Sequence, residues 1–309
     1  MRTIIKQIRR ENREDWLALR SRYIGGSDAA SVVGLNEFQS PYALWCEKRG
    51  ITKAFEGNMR TKVGTYLEDF VAQQFEEETG KKVRKSNFSF INEDFPFAIA
   101  DIDRLVIGED AILECKTTSE LNLKHYKDGD YPARFYCQVQ HYMAVLNKKV
   151  AYLAVLIGNK EFKWFEIERN DDEIKALMEA EKQFYQWMES GEEPPANPAD
   201  AGSIELAHPT SNGTSIELFG SQNIMRQFLE IKSKIAALEK EADGIAATLK
   251  QDMGDAENGT DGQYVVTWAN RTKTTFDKKA FQKDNPNIDL SKWEKTTNYR
   301  AFSIKELEV

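Results

Sequence analysis

Cysteine is scarce in this 309-residue chain: Cys46, Cys115 and Cys137 stand far apart, with no C-x-x-C pair. That spacing argues against a disulfide framework, a zinc ribbon or an iron–sulfur site. Long apolar runs are missing too, and none approaches the ~20 residues needed to span a membrane. The start, MRTIIKQIRR, is basic but lacks the apolar stretch and small-residue cleavage site of a secretory signal. A cytoplasmic location is the expectation. Nor is there an excess of positive charge. Lys and Arg number 42 against 50 Asp and Glu, a formal net charge of −8, whereas nucleic-acid binding favours basic surfaces. Much of the acid is clustered, at Glu76-Glu77-Glu78 and in the stretch 171–181. Basic residues confined to a channel therefore stay compatible with a DNA substrate. What is present is ordinary, 41% hydrophobic and 30% charged residues. Such a chain can bury a substantial core, as one large domain or two smaller ones.

The most informative stretch is ADIDRLVIGEDAILECKTT, residues 100–118. Ile102, Leu105, Val106 and Ile107 predict one strand, Ile112, Leu113 and Cys115 a second, and Gly108-Glu109-Asp110 the turn between them. Side chains alternate along a strand, so Glu114 and Lys116 leave the same face. An acid on the neighbouring strand can reach that spot. Asp101 and Asp103 both qualify, since alternation puts them on one face. Two carboxylates there suit a hard divalent cation, magnesium or manganese. Such an ion activates water and neutralises a phosphate oxygen, and an ammonium alongside suits the charge that develops during phosphodiester cleavage. A surface Glu-x-Lys pair on a solvated hairpin is the plainer alternative. The surrounding strand is too apolar to be freely exposed.

Elements on either side supply further candidates. Residues 13–22 predict a helix leading to Gly25-Gly26, after which Ser27-Asp28 caps a helix carrying Ala29, Ala30, Val32 and Val33. Ser27 is plainly a capping residue, yet with Arg22 it can also meet a phosphate at a helix N-terminus. Ser40-Pro41 opens another helix. Residues 58–79 predict an amphipathic helix with Val63, Leu67, Phe70, Val71 and Phe75 as its stripe, ended by Gly80. Glu68 borders that stripe and needs a partner, a metal or a basic side chain; Asp69 faces elsewhere. Residues 83–91 read as a strand. Pro132 opens a helix in which Gln138 and Tyr142, four apart, are neighbours able to position water or phosphate. Residues 150–157 and 161–168 predict two strands, and 171–190 a helix ending at Gly191.

Glu68, Asp103, Glu114-x-Lys116 and Gln138-x-x-x-Tyr142, strung along helix–strand–hairpin–helix–strand, resemble a PD-(D/E)XK nuclease core. Three stretches narrow this to the YqaJ viral recombinase family, the exonucleases related to phage lambda exonuclease: GGSDAASVVGLNEFQSPYALWCEKRG, ADIDRLVIGEDAILECKTTS and YPARFYCQVQHYMAVL. The resemblance spans roughly residues 13–190. It implies an α/β (α+β) restriction-endonuclease-like fold. It also implies metal held by Asp103, Glu114 and the backbone carbonyl of Cys115, with Glu68 as an upstream acid. Lys116 falls on the active-site lysine and Gln138 on the family's glutamine. Arg22 and Ser27, and with them Tyr142, fall where the 5′-phosphate end is contacted. The family pattern places Gly or Arg after the acid, which favours Asp103 over Asp101, although the usual Pro is replaced by the stretch Ala100-Asp101-Ile102. Members degrade the 5′ strand of linear duplex DNA with magnesium and leave a 3′ overhang for an annealing protein of the RecT kind. Some assemble as a ring-shaped trimer. A phage or prophage origin in a bacterial host would follow. Two other readings use the same residues, a Cas4-like or repair endonuclease and a non-catalytic DNA-end-binding scaffold. The missing cysteine cluster counts against Cas4, and buried carboxylates beside a phosphate are a liability to a pure binder.

Past the nuclease-like domain, 1–191, a Pro- and Gly-rich linker is expected over 192–220, with short strands at most at 203–206 and 215–218. In 221–309 comes a helix of about 30 residues in which Ile224, Phe228, Ile231, Ile235, Leu238, Ala242, Ile245 and Leu249 alternate in spacings of four and three. That is a heptad seam, for a coiled coil or for packing on the protein itself. The stretch GQYVVTWANRTKTTFDKKAF predicts a strand pair and TTNYRAFSIKE another strand, a small β module with basic and aromatic residues suited to stacking on single-stranded bases or simply to packing on the coil.

Overall fold

The computed structural model describes residues 4–306, so the first and last three residues of the expected domains lie outside the described residues. The chain divides into two compact units, Met1–His208 and Pro209–Val309.

The first unit is built on a five-stranded mixed sheet. In chain order its strands and helices are β1 (Ile5–Arg9), α1 (Arg13–Arg22), β2 (Ile24–Gly25), α2 (Gly26–Val32), α3 (Pro41–Lys48), α4 (Met59–Thr79), β3 (Val83–Lys85), β4 (Phe88–Asn92), β5 (Ala98–Ile99), β6 (Arg104–Val106), β7 (Ala111–Thr118), α5 (Ala133–Leu146), β8 (Val150–Ile157), β9 (Glu161–Glu168), α6 (Asp171–Ser190) and α7 (Ala201–Ala207). The sheet order is β3-β6-β7-β8-β9. Within this sheet only β7 and β8 pair parallel, over the full register Ala111↔Val150 to Thr118↔Ile157. The crossover between them carries α5.

Helices cover both faces, which is why β8 reads as the continuous apolar run VAYLAVLI. On one face Val71, Ala72 and Phe75 of α4 pack with Val106, Leu113, Tyr152 and Ala154. On the other, Val139 and Met143 of α5 meet Ile112, Leu153 and Val155, with Ile174, Leu177 and Phe184 of α6 in the same core. The expected stripe of α4 is narrower than the sequence implied: Val63 and Phe70 remain 44% exposed, because the sheet reaches only the Val71–Phe75 side.

Helix ends follow their local chemistry. Asn58 accepts from the backbone N–H groups of Arg60 and Thr61 to open α4, and Gly80 closes it at φ 71°, a left-handed value that costs glycine little. Gly26 is required for space instead. A Cβ there would lie 2.4 Å from Cε1 of Tyr142, so the first turn of α2 rests directly on the Tyr142 ring. We expect Gly26→Ala to cost about 2 kcal/mol by overpacking, measured as a lower urea midpoint at unchanged m.

Several expectations are corrected. The single strand over 83–91 is two: Val83–Lys85 joins the main sheet beside Arg104–Val106, whereas Phe88–Asn92 pairs with Ile5–Arg9 at the basic start of the chain. The break falls at Ser86-Asn87, turn-prone residues whose backbone is taken up elsewhere, Ser86 N–H by the Asp103 carbonyl and Asn87 C=O by Arg10 N–H. The stretch 192–208 is not free of the first unit. The Ser40 hydroxyl at the start of α3 donates to Asp200, and Tyr42 OH donates to Glu193 at 2.9 Å. Residues 203–206 lie in helix α7 rather than a strand. Pro and Gly content alone cannot reveal such side-chain ties.

The second unit contains α8 (Gln222–Met253), β10 (Asn258–Thr260), β11 (Val265–Thr267) and α9 (Lys278–Asp284). The two strands form an antiparallel hairpin whose turn is held by Asp261 Oδ1, accepting from the N–H groups of Gln263 and Tyr264. The expected partner strand is absent: KKAF is helical because Asp277 Oδ1 accepts from Ala280 N–H and caps it. Residues 215–218 and 296–306 form no regular strand. No described helix of either unit is long and apolar enough to cross a membrane.

Candidate active site

The parity of β7 sorts its side chains. Leu113 and Cys115 face α4, so Glu114 and Lys116 face α5, as Ile112 does. There they meet Gln138 from the middle of α5. Lys116 Nζ donates to Glu114 Oε1 at 2.6 Å, and Gln138 Nε2 donates to the same oxygen at 2.7 Å. Gln138 Nε2 also donates to Tyr142 OH at 3.0 Å. Glu114 is 3% exposed, and its second oxygen, Oε2, is buried without a hydrogen-bond partner. An orphaned carboxylate oxygen is costly unless something cationic completes it.

Asp103 lies just before β6 and reaches across to β7, where its Oδ2 accepts from Cys115 N–H at 2.8 Å. Burial and then the Glu114 charge push its carboxyl well above the ordinary range, against the pull of Lys116. Burial would lower the Lys116 ammonium, but Glu114 and Asp103 hold it raised, and it lies 5.2 Å from the Phe135 ring centre. The Cys115 thiol is pushed well up by burial, then by Asp103 and Glu114, so its sulfur stays protonated and its contribution is confined to the backbone. Among the described residues no three His, Cys, Asp or Glu side chains converge as a metal cage. The side-chain donors here are two carboxylates.

Asp101, the other candidate acid, is fully engaged away from this spot. Trp16 Nε1 donates to its Oδ2 at 2.8 Å, Ser89 donates to Oδ1, and Arg10 stands 3.8 Å away. Glu68 is paired with basic side chains. Its Oε1 accepts from Arg104 Nη1 at 2.5 Å, with Lys85 at 3.6 Å. Arg104 Nη1 also donates to the Asp103 carbonyl at 2.8 Å and its other nitrogen pairs with Asp69, a residue that sequence reasoning set aside. Glu68 thus acts on Asp103 twice, holding its backbone through the Arg104 guanidinium and helping by its charge to raise the Asp103 carboxyl.

Of the two residues expected to meet a phosphate, Ser27 is contacted by Arg20 and not by Arg22. Arg22 sits at the exposed end of α1, lining a small surface cavity with Tyr23, Lys48 and Tyr185. Arg20, two residues earlier, faces Ser27, and its Nη2 donates to Ser27 Oγ at 2.6 Å. Ser27 is not the helix cap. The helix starts at Gly26, and the Gly25 N–H is taken by Asp28 Oδ2 at 2.9 Å. Asp28 also accepts from Lys48 Nζ at 2.6 Å and Arg20 Nη2 at 3.3 Å. Burial would raise its carboxyl, but Lys48 and Arg20 hold it low. Arg20 lies over the Trp16 ring at 5.0 Å and lines a cavity of 1190 Å³ with Arg10, Phe55, Lys62 and Tyr66. The sequence signal for Arg20 was the i,i+4 spacing of Trp16 and Arg20. Nothing local marked Lys48. Tyr142, 4% exposed, touches Gly26 from below and meets the site through Gln138.

His141 and Glu181, wholly buried, support this floor. His141 Nε2 donates to the Ile99 carbonyl at 3.0 Å, and Nδ1 shares one proton with Glu181 Oε1 at 2.8 Å. The pair pins the segment that leads to Asp101 and Asp103.

A mixed sheet covered by helices on both faces thus brings Asp103, just before β6, to Glu114 and Lys116 on β7. Residues 15–149 match the pattern of the YqaJ-like viral recombinase domain. Over 304 residues the chain is 37% identical to the uncharacterized protein YqaJ of Bacillus subtilis (strain 168), covering 96% of this chain and 95% of that one. The chain belongs to the YqaJ family. Among solved structures, the chain matches the alkaline exonuclease LHK-Exo of Laribacter hongkongensis at 21% identity and TM-score 0.49, over 58% of this chain and 94% of that one. A phage-related exonuclease from Haemophilus somnus 129PT follows at 15% identity and TM-score 0.43, over 55% and 96%.

Proposed function

We propose that this chain is a metal-dependent exonuclease that degrades the 5′ strand of linear duplex DNA and leaves a 3′ overhang. The observation that carries the reading is the orphaned Glu114 Oε2 beside a raised Asp103 carboxyl. Two mutually repelling carboxylates in a buried spot fit a divalent cation, and an all-oxygen donor set of Asp103, Glu114 and the Cys115 carbonyl suits magnesium, with manganese as a substitute. Bound there, the ion would supply Lewis acidity and a water activated near neutral pH.

The chain's own residues do the rest. Gln138 holds Glu114 Oε1 by its side-chain amide, which fixes the carboxylate, and Oε2, free of hydrogen bonds, would be the oxygen left to hold a cation. Lys116 keeps its proton and presents positive charge where the phosphorane's negative charge develops. Glu68 and Arg104 fix the backbone of Asp103. Arg20 and Ser27, rather than Arg22, form the donor pair for a terminal 5′ phosphate, and Tyr142 supports that pair through Gly26. The single strand produced is the natural substrate of a RecT-like annealing protein, in phage-type recombination within a bacterial cytoplasm. Strand choice and annealing rest on the family resemblance. The catalytic step rests on the geometry.

A linear duplex carrying distinct labels at its 5′ and 3′ ends, incubated with magnesium beside a closed circle, tests the reading. Early release of the 5′ label with the circle intact is expected. Equal cutting of the circle makes the protein an endonuclease, and 3′ label leaving first reverses the polarity. For Arg20→Ala we expect the preference for 5′-phosphorylated over 5′-hydroxyl ends to fall about 10-fold, since a charge-assisted contact is worth about 1.5–3 kcal/mol. The ratio of initial rates on the two substrates measures it.

A further inference from the structure

Within the second unit, one helix keeps a long apolar row largely uncovered by that unit's other described residues. Helix α8 runs 32 residues, about 48 Å, and none of its residues is buried. The large residues of its heptad row, from Ile224 to Leu249, keep 37% to 69% of their surface exposed. The chain's own tail leans on the flank of this row. Met225, Leu229 and Ala246, beside it, are half-buried, and Phe302 meets Phe228 edge-on at 5.7 Å. Apart from that contact at Phe228, the row stays exposed along its length.

We propose that α8 pairs with α8 of a second copy of this chain, antiparallel, about a two-fold axis between Ala236 and Ala237. A repeat of 3.5 residues fits another helix of the same period, and a contact between identical patches must be self-complementary. This helix meets that condition in one orientation. In the antiparallel register Ile224 faces Leu249, Phe228 faces Ile245, Ile231 faces Ala242 and Ile235 faces Leu238. Every layer then contains an aliphatic side chain, and the small Ala242 lies against a β-branched residue. A parallel pair would instead stack Phe228 on Phe228 and Ala242 on Ala242, one layer overfilled and one hollow.

The flanking charges agree. Lys232 and Lys234 precede the axis, Glu239 and Glu241 follow it, and all four are exposed. The antiparallel register sets Lys232 against Glu239 and Lys234 against Glu241 of the other copy, on both sides of the axis, which makes four attractive contacts. A parallel pair offers Lys234 against Glu239 alone, twice. Charge of this kind sets partner and orientation in paired helices. The proposal does not depend on the nuclease reading.

Sedimentation of the full chain at micromolar concentration tests it. Wild type is expected to self-associate, whereas K232E/K234E and E239K/E241K each weaken that association roughly 100-fold. An equimolar mixture of the two variants restores it, which also shows that neither has unfolded. Orientation is read by peptide mapping of disulfides. A chain with Ile224→Cys mixed with one carrying Leu249→Cys is expected to couple 224 to 249, while Leu249→Cys alone does not couple to itself. A wild-type chain that stays single, assembly that survives both reversals, or a 249–249 disulfide overturns the proposal. Single wild-type chains whose α8 captures a different protein would assign the surface to that protein instead.

Discussion

Lys116→Ala is expected to lower the rate of DNA digestion about 1000-fold while leaving divalent-metal binding in place. The ammonium at 2.6 Å from Glu114 Oε1 is held charged by Glu114 and Asp103 despite its burial. Positive charge aimed at a developing oxyanion in a site of low dielectric is worth about 10²–10³-fold in rate. Its loss leaves both carboxylates present, and the competing cation beside Glu114 is gone. Metal affinity, read by manganese titration, should therefore hold or tighten. Lys116→Arg should rescue little, because a planar fork cannot replace a compact point charge against Phe135. A Lys116→Ala protein that digests at the wild-type rate would remove the lysine from the chemistry.

Asp103→Asn separates function from stability in the opposite direction. Burial and the Glu114 charge raise the Asp103 carboxyl, so its folded value exceeds its unfolded one. The stability linked to the protonated form is full below the ordinary carboxylate value of about 4 and is lost as pH rises through the raised folded value. An amide carries no such loss and still accepts from Cys115 N–H. At neutral pH without metal, Asp103→Asn should thus be more stable than wild type by about 1 kcal/mol, with activity gone, the trade-off usual at strained sites. Near pH 4 the gain should vanish. Magnesium should stabilise wild type and not the variant. Thermal melts at the two pH values, with and without magnesium, check all three. A variant less stable than wild type at neutral pH would mean that Asp103 is a structural residue.

The parts of this site that local periodicity governs were legible in the sequence. Glu114 and Lys116 share a face because strands alternate, and Gln138 and Tyr142 are neighbours because helices return every 3.6 residues. Asp101 and Asp103 could not be separated that way. The structure separates them because both lie outside regular strand, so alternation does not bind them: Asp101 turns to Trp16 and Ser89, Asp103 to Cys115. Arg20 was missed for a similar reason. Its partner Ser27 lies across the α1–α2 turn, and the choice between Arg20 and Arg22 depends on which side of α1 packs there. The Glu68–Arg104 pair joins α4 to β6 across 36 residues of chain, beyond any local pattern. In the second unit, alternation over GQYVVTWANRTKTTFDKKAF suggested a strand pair, but at its end a single capping acid, Asp277, decided for a helix.

The most direct test of the central claim is release of acid-soluble nucleotides from linear duplex DNA by wild type and Glu114→Gln, in magnesium and in EDTA. Glutamine keeps the shape of the side chain and removes the charge that Oε2 brings to the cation. Wild type is expected to release nucleotides in magnesium and none in EDTA, and a folded Glu114→Gln none in either. Release by Glu114→Gln at the wild-type rate, or release in EDTA, would contradict it.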